Sequence, residues 1–118
     1  MTYYVYMVRC RDGSHYTGIA AHLCRRMREH VEKRPQCARY TRAHPVTALD
    51  GLWRAKDRSS ASRLEYAIKQ LRPQEKQRLL AKPEELKEIL PRLAEENYEY
   101  LPGVTLEMCL RGEVNHGD

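Results

Sequence analysis

The sequence predicts an α/β fold: a small antiparallel central sheet of three strands flanked by helices, with a mostly helical C-terminal extension. An N-terminal hairpin signal and two helix-periodic stretches separated by a strand-like run carry that expectation. Tyr3 to Arg9 alternates and is rich in aromatic and β-branched residues, which suits a half-buried strand. Arg11-Asp12-Gly13-Ser14 follows, and Asp-Gly supplies the positive φ of a tight turn, so His15 to Ile19 reads as the returning strand. From Ala21 to Lys33, Leu23, Met27 and Val31 recur every four residues, giving a helix that Pro35 ends. Val46 to Lys56 reads as the third strand, bulged near Asp50-Gly51. Asp57 or Ser59 caps a second helix from Ser60 to Leu71, with Leu64, Ile68 and Leu71 inward. Arg72-Pro73 breaks it, and Pro73 opens a short helix to Leu80. Pro83 to Glu96 reads as one helix with an acidic start, and Val104 to Leu110 as a short strand.

Charge divides the chain in two. Residues 1–82 hold 18 Lys and Arg against 7 Asp and Glu, a net +11, whereas residues 83–118 hold 3 against 9, a net −6. We therefore expect a basic body, 1–82, that binds a polyanion, and an acidic extension, 83–118. Arg outnumbers Lys, which favours two-pronged contacts to phosphate. No stretch approaches the ~18 apolar residues of a membrane span, and the N-terminus shows no basic-then-apolar signal pattern. The expectation is a cytoplasmic protein without a membrane partner, its four cysteines reduced. Irregular spacing of Cys10, Cys24, Cys37 and His30 argues against zinc.

Several polar residues recur in a definite order. Tyr4-Val5-Tyr6 lies in the first strand and Tyr16-Thr17-Gly18 in the second. Arg26 and His30 stand at i, i+4 on the first helix and share a face; Glu65 lies in the second helix. Each has an ordinary alternative: cross-strand packing for the tyrosines, a pair with Glu29 or Glu32 for Arg26, a helix-surface or core position for His30, and a capping box with Ser62 or a pair with Lys69 for Glu65.

As an ordered set they resemble the GIY-YIG endonuclease superfamily over roughly residues 2–80. Tyr4-Val5-Tyr6 and Tyr16-Thr17-Gly18 look like its two tripeptides, Arg26 like its helix arginine and Glu65 like its metal-binding glutamate. Asp12-Gly13-Ser14-His15-Tyr16-Thr17-Gly18-Ile19 and Tyr40-Thr41-Arg42 look most like the small stand-alone bacterial branch. Tyr4 stands where the family name has Gly, and Ile19 where some members carry lysine. The resemblance implies a metal-dependent DNA endonuclease that hydrolyses phosphodiester bonds. Its catalytic residues would be Tyr6, Tyr16, Arg26, His30 and Glu65, with Glu65 holding Mg²⁺ or Mn²⁺ and no small-molecule cofactor. The alternative is a catalytically inactive nucleic-acid-binding module of the same fold. Arg25, Arg39, Tyr40, Arg42 and Lys69 are the expected nucleic-acid contacts; the run Arg39-Tyr40-Thr41-Arg42 mixes charge with an aromatic ring, as single-strand binding requires. A body this small favours single-stranded or branched DNA over a long duplex site.

Overall fold

A strand buried on both faces, β1 (Tyr3–Cys10), runs through the middle of the molecule. A computed structural model describes residues 1–35 and 37–114. Gln36 of the basic segment and residues 115–118 of the extension lie outside the described residues. β1 pairs antiparallel with β2 (His15–Ala20) on one side and with β3 (Val46–Ala55) on the other. A fourth strand, β4 (Glu99–Tyr100), pairs with β3, so the sheet has four strands in the order β2-β1-β3-β4, rather than the expected three. Two residues of pairing leave no alternation to read; β4 exists because the chain returns to the free edge of β3.

Successive side chains of a strand point to opposite faces, and both faces of β1 are covered. Val5 and Met7 join Trp53 and Ala55 beneath α3 (Arg58–Lys69) and α4 (Pro73–Ala81). Tyr4, Tyr6 and Val8 face α1 (Leu23–Val31) with Leu23, Cys24 and Met27. The segment after residue 82 contributes to both clusters: Leu86, Leu90 and Leu93 to the first, Leu106 and Cys109 to the second. No helix among the described residues is long and apolar enough to cross a membrane.

The expected bulge is present: Met7 pairs with Gly51 and Val8 with Leu49, leaving Asp50 as the extra residue. Asp57 is the cap of α3, accepting from the Ser60 amide at 2.8 Å. Other boundaries differ from expectation. α1 is ended by Lys33, at φ +53°, and not by Pro35. The Arg34 amide bonds the Glu29 carbonyl and the Lys33 amide that of His30, a Schellman closure. The basic segment contains a short helix, α2 (Arg39–Ala43). Pro83 to Glu96 is not one helix: a 3-10 turn leads into α5 (Leu86–Ile89), and a second occupies Pro91–Leu93. Leu90 precedes Pro91 and leaves the helical region, at φ −123° and ψ 70°, as a residue before proline tends to do. Val104 to Leu110 is not a strand: α6 (Leu106–Leu110) forms there, capped by the Thr105 hydroxyl accepting from the Met108 amide at 3.1 Å.

Candidate active site

Strand alternation sends Tyr6 to the α1 face, and helix spacing sends Arg26 and His30 to meet it. Tyr6 is 1% exposed, and its Oη lies 2.8 Å from His30 Nε2. Arg26 Nε donates to the same oxygen at 3.3 Å, and Arg26 Nη1 pairs with Glu29 at 2.9 Å. His30 is equally buried, and its Nδ1 lies 2.6 Å from Thr41 Oγ1 of α2. Gly18 on β2 faces the Tyr6 hydroxyl so closely that a Cβ there would sit 2.5 Å from Oη. The last residue of the second tripeptide is therefore fixed by the phenol of the first.

Tyr16 is half-buried beside this group, its ring 6.5 Å from that of Tyr6 and 5.7 Å from that of His30. β2 is an edge strand, and α3 reaches the site around that edge. Lys69 Nζ stands 5.5 Å from the centre of the Tyr16 ring and pairs with Glu65 at 3.2 Å. Tyr6, Tyr16, Arg26, His30 and Glu65 are thus drawn into one connected set. Glu65 is linked through the i, i+4 pair with Lys69, not through a cap with Ser62, since Asp57 caps the helix.

Electrostatics define the resting state. Burial raises the Tyr6 pKa above the ordinary phenol value, and the Arg26 bond only partly offsets it. Burial, with the Arg26 charge nearby, lowers His30 to about 4. Burial works against the Arg26 charge, yet bonds with Glu29 and Tyr6 outweigh it and raise its pKa. At neutral pH the site holds a neutral phenol, a neutral imidazole and a guanidinium.

The expected nucleic-acid contacts are spread around this centre. Arg25 and Arg26 line a cleft of about 440 Å³ with Ala20, His22, Glu29 and Arg34. Arg39 and Arg42 are exposed on α2, where Arg42 donates to the Arg34 and Pro35 carbonyls. Tyr40 stacks on Tyr16 at 6.0 Å and on His44 at 4.0 Å. Its hydroxyl donates to Ser14 Oγ at 2.6 Å, which donates to Asp12. The Ser14 hydroxyl and amide, with His44, hold the Asp12 carboxyl down at about 2. Tyr40 remains exposed while these contacts tie α2 to the hairpin. A larger apolar groove, about 470 Å³, lies between α3 and the Leu90–Leu93 turn and includes none of the expected site residues.

Sequence reasoning passed over Thr41 and the steric role of Gly18. It also left out the cluster His15–Asp50–Arg9, in which His15 Nε2 lies 2.8 Å from the bulged Asp50 carboxylate. The Asp50 bulge was legible; the Thr41 contact depends on α2 docking against α1 and left no local signal.

A paired-tyrosine hairpin with an arginine-bearing helix on one face and a glutamate-bearing helix at its edge defines a protein class. Residues 2–78 match the GIY-YIG catalytic domain, and the chain belongs to that family. Its relatives place it in the small stand-alone branch. It is 38% identical over 84 residues to a UPF0213 protein of Fusobacterium nucleatum, covering 71% of this chain and 82% of that one. It is 45% identical over 78 residues to a UPF0213 protein of Desulfotalea psychrophila, covering 66% and 70%. The solution structure of the Bacillus halodurans UPF0213 protein matches 69% of this chain and 84% of that one, at 35% identity and a TM-score of 0.46.

Proposed function

We propose that this protein is a metal-dependent endonuclease that cleaves phosphodiester bonds in single-stranded or branched DNA in the cytoplasm. The observation that carries the reading is the hydrogen-bonded Arg26–Tyr6–His30 group beside Tyr16, with the Glu65 carboxylate one ion pair away. Hydrolysis requires an activated water and stabilisation of the charge that develops on phosphorus and on the leaving oxygen. Arg26 donates to the non-bridging oxygens. Tyr6 accepts a proton from the attacking water as its own passes to the neutral His30, so no free phenolate accumulates. Tyr16, half exposed beside Lys69, orients the water.

Among the described residues no cluster of three or more His, Cys, Asp or Glu stands ready to cage a metal. The half-exposed Glu65 carboxylate fits Mg²⁺ or Mn²⁺ nonetheless, since hard cations bind through one or two carboxylates plus water and substrate phosphate. Bound there, the cation supplies positive charge for the pentacovalent phosphorus and the leaving 3′-oxygen. Arg25, Arg39, Arg42 and Lys69 hold the strand on either side, and the edge of Tyr40 borders its path.

The test is incubation of the full chain with labelled single-stranded, branched and duplex oligonucleotides in Mg²⁺, Mn²⁺ or EDTA. We expect cleavage of the first two, abolished by EDTA. Binding of all three without cleavage in either metal would leave the inactive binding module as the correct reading.

A further inference from the structure

We propose that Thr41 is a positioning residue for the proton relay: its hydroxyl holds His30 in the tautomer that leaves Nε2 bare and facing Tyr6. The tautomer follows from the hydrogen bonds alone; its catalytic consequence rests on the nuclease reading above.

A threonine hydroxyl has one proton. Thr41 Oγ1 donates to the Ala38 carbonyl at 3.1 Å, a bond it can make only if its one proton is not given to His30. His30 Nδ1 stands 2.6 Å from the same oxygen, which now can only accept, so Nδ1 carries the hydrogen. In a neutral imidazole the other nitrogen is then bare. Nε2 faces Tyr6 Oη at 2.8 Å, and Tyr6 donates to it. A guanidinium has no lone pair to offer, so Arg26 Nε donates to the Tyr6 oxygen at 3.3 Å. Five groups are thereby oriented in one sense, from Arg26 through Tyr6, His30 and Thr41 to the Ala38 carbonyl.

The ring has no competing partner for Nδ1 among the described contacts. Tyr6 of β1, Tyr16 of β2, and Arg26 and Glu29 of its own helix are the titratable groups around it. The opposite tautomer would aim Nε2–H at the Tyr6 oxygen and strand the Tyr6 proton in a buried site. It would also force Thr41 to abandon Ala38. Thr41 itself is fully buried, so water cannot substitute for it without local opening.

The consequence is directional. The water proton moves to Tyr6 Oη as the Tyr6 proton moves to His30 Nε2, giving hydroxide and an imidazolium whose Nδ1–H remains on Thr41. With the other tautomer Nε2 is already protonated and accepts nothing, and turnover stops although every side chain is present.

The experiment pairs Thr41→Val, which keeps the shape and removes the hydroxyl, with Thr41→Ser, which keeps it. The ¹⁵N spectrum of the imidazole of His30 in the full chain reads the tautomer, and cleavage of a labelled single-stranded oligonucleotide reads the relay. We expect wild type and Thr41→Ser to show a protonated Nδ1 and a bare Nε2. In Thr41→Val both nitrogens should shift toward a mixture, with turnover lower by the fraction that loses a bare Nε2, about twofold for an even mixture, and the pH profile altered. The proposal is overturned by a bare Nδ1 in wild type, or by a Thr41→Val spectrum and rate like those of wild type. Mixed tautomers with an unchanged rate would retain Thr41 as the tautomer lock but remove His30 from the relay. Absence of cleavage by wild type would refute the nuclease reading, and the spectra would still decide the lock.

Discussion

At the residue scale, the phenol of Tyr6 is enclosed by four neighbours with different duties. His30 Nε2 stands in hydrogen-bond reach of its oxygen, Arg26 donates to that oxygen, Gly18 makes room, and Tyr16 stands beside it. Tyr6→Phe removes only the hydroxyl, so the fold should persist while turnover drops by about 10² or more, measured by single-turnover cleavage. Arg26→Lys keeps the charge and loses the planar fork, and a comparable fall is expected. Gly18→Ala forces a Cβ against Tyr6 Oη and should cost about 1–3 kcal/mol of stability in urea unfolding, together with activity. His30 also makes stability depend on pH. Folded, it protonates only near 4; unfolded, at its ordinary value of about 6.5. The unfolded chain therefore binds more protons between these values, and stability should fall as pH is lowered through that window. His30→Gln should flatten this part of the profile, read as urea midpoints from pH 7 to pH 4.

At the element scale, α3 carries both core and chemistry. Leu64 and Ile68 are fully buried, while Glu65 and Lys69 reach around the β2 edge to Tyr16. Glu65→Ala should leave the melting temperature nearly unchanged, because an exposed i, i+4 pair contributes at most about 0.5 kcal/mol. Cleavage in Mg²⁺ should vanish, while binding to single-stranded DNA holds or tightens. Full cleavage by this variant would remove Glu65 from the metal site. The hairpin, α1, α3 and the Asp50 bulge were legible because each has its own local signal: an Asp-Gly turn, a four-residue apolar period, a broken alternation. α2 and β4 were not, because they are set by what the chain packs against; the break at Leu90 had a local signal in Pro91, which the reading of one continuous helix passed over. The site divides in the same way. Tyr6, Tyr16, Arg26, His30 and Glu65 stood out as an ordered set through the family resemblance. The bond from His30 to Thr41 is tertiary and had no trace in spacing.

At the scale of the whole molecule, the extension is acidic for a reason visible in its contacts. Glu99 pairs with Arg54, Glu96 with Arg63, and Glu85 and Glu88 with Arg78. Its apolar residues enter both clusters, so a chain ending at Lys82 should be markedly less stable, with each buried leucine lost worth about 1.5–3 kcal/mol. The charge effect is better isolated with Glu96→Gln and Glu99→Gln together, which keep the packing. That pair frees Arg63 and Arg54, so affinity for duplex and single strands should rise and fall more steeply with added salt. Unchanged affinity and salt slope would show that these arginines lie away from the strand's path.

Adjacent residues of α2 perform separate tasks: Tyr40 braces Tyr16 and the hairpin turn, and Thr41 holds the His30 ring. A helix of five residues has no stability of its own, so it is helical only while docked. Both constraints therefore share a single opening equilibrium, and the site's population divides into molecules with both and molecules with neither. An opening free energy of about 1.4 kcal/mol would leave roughly one molecule in ten incompetent, whatever the intrinsic rate of the rest. Amide exchange at Arg42 and His44, whose amides bond the Ala38 and Tyr40 carbonyls, thus becomes a gauge of the competent fraction, and substitutions that firm the docking of α2 should raise observed turnover without touching a reacting atom.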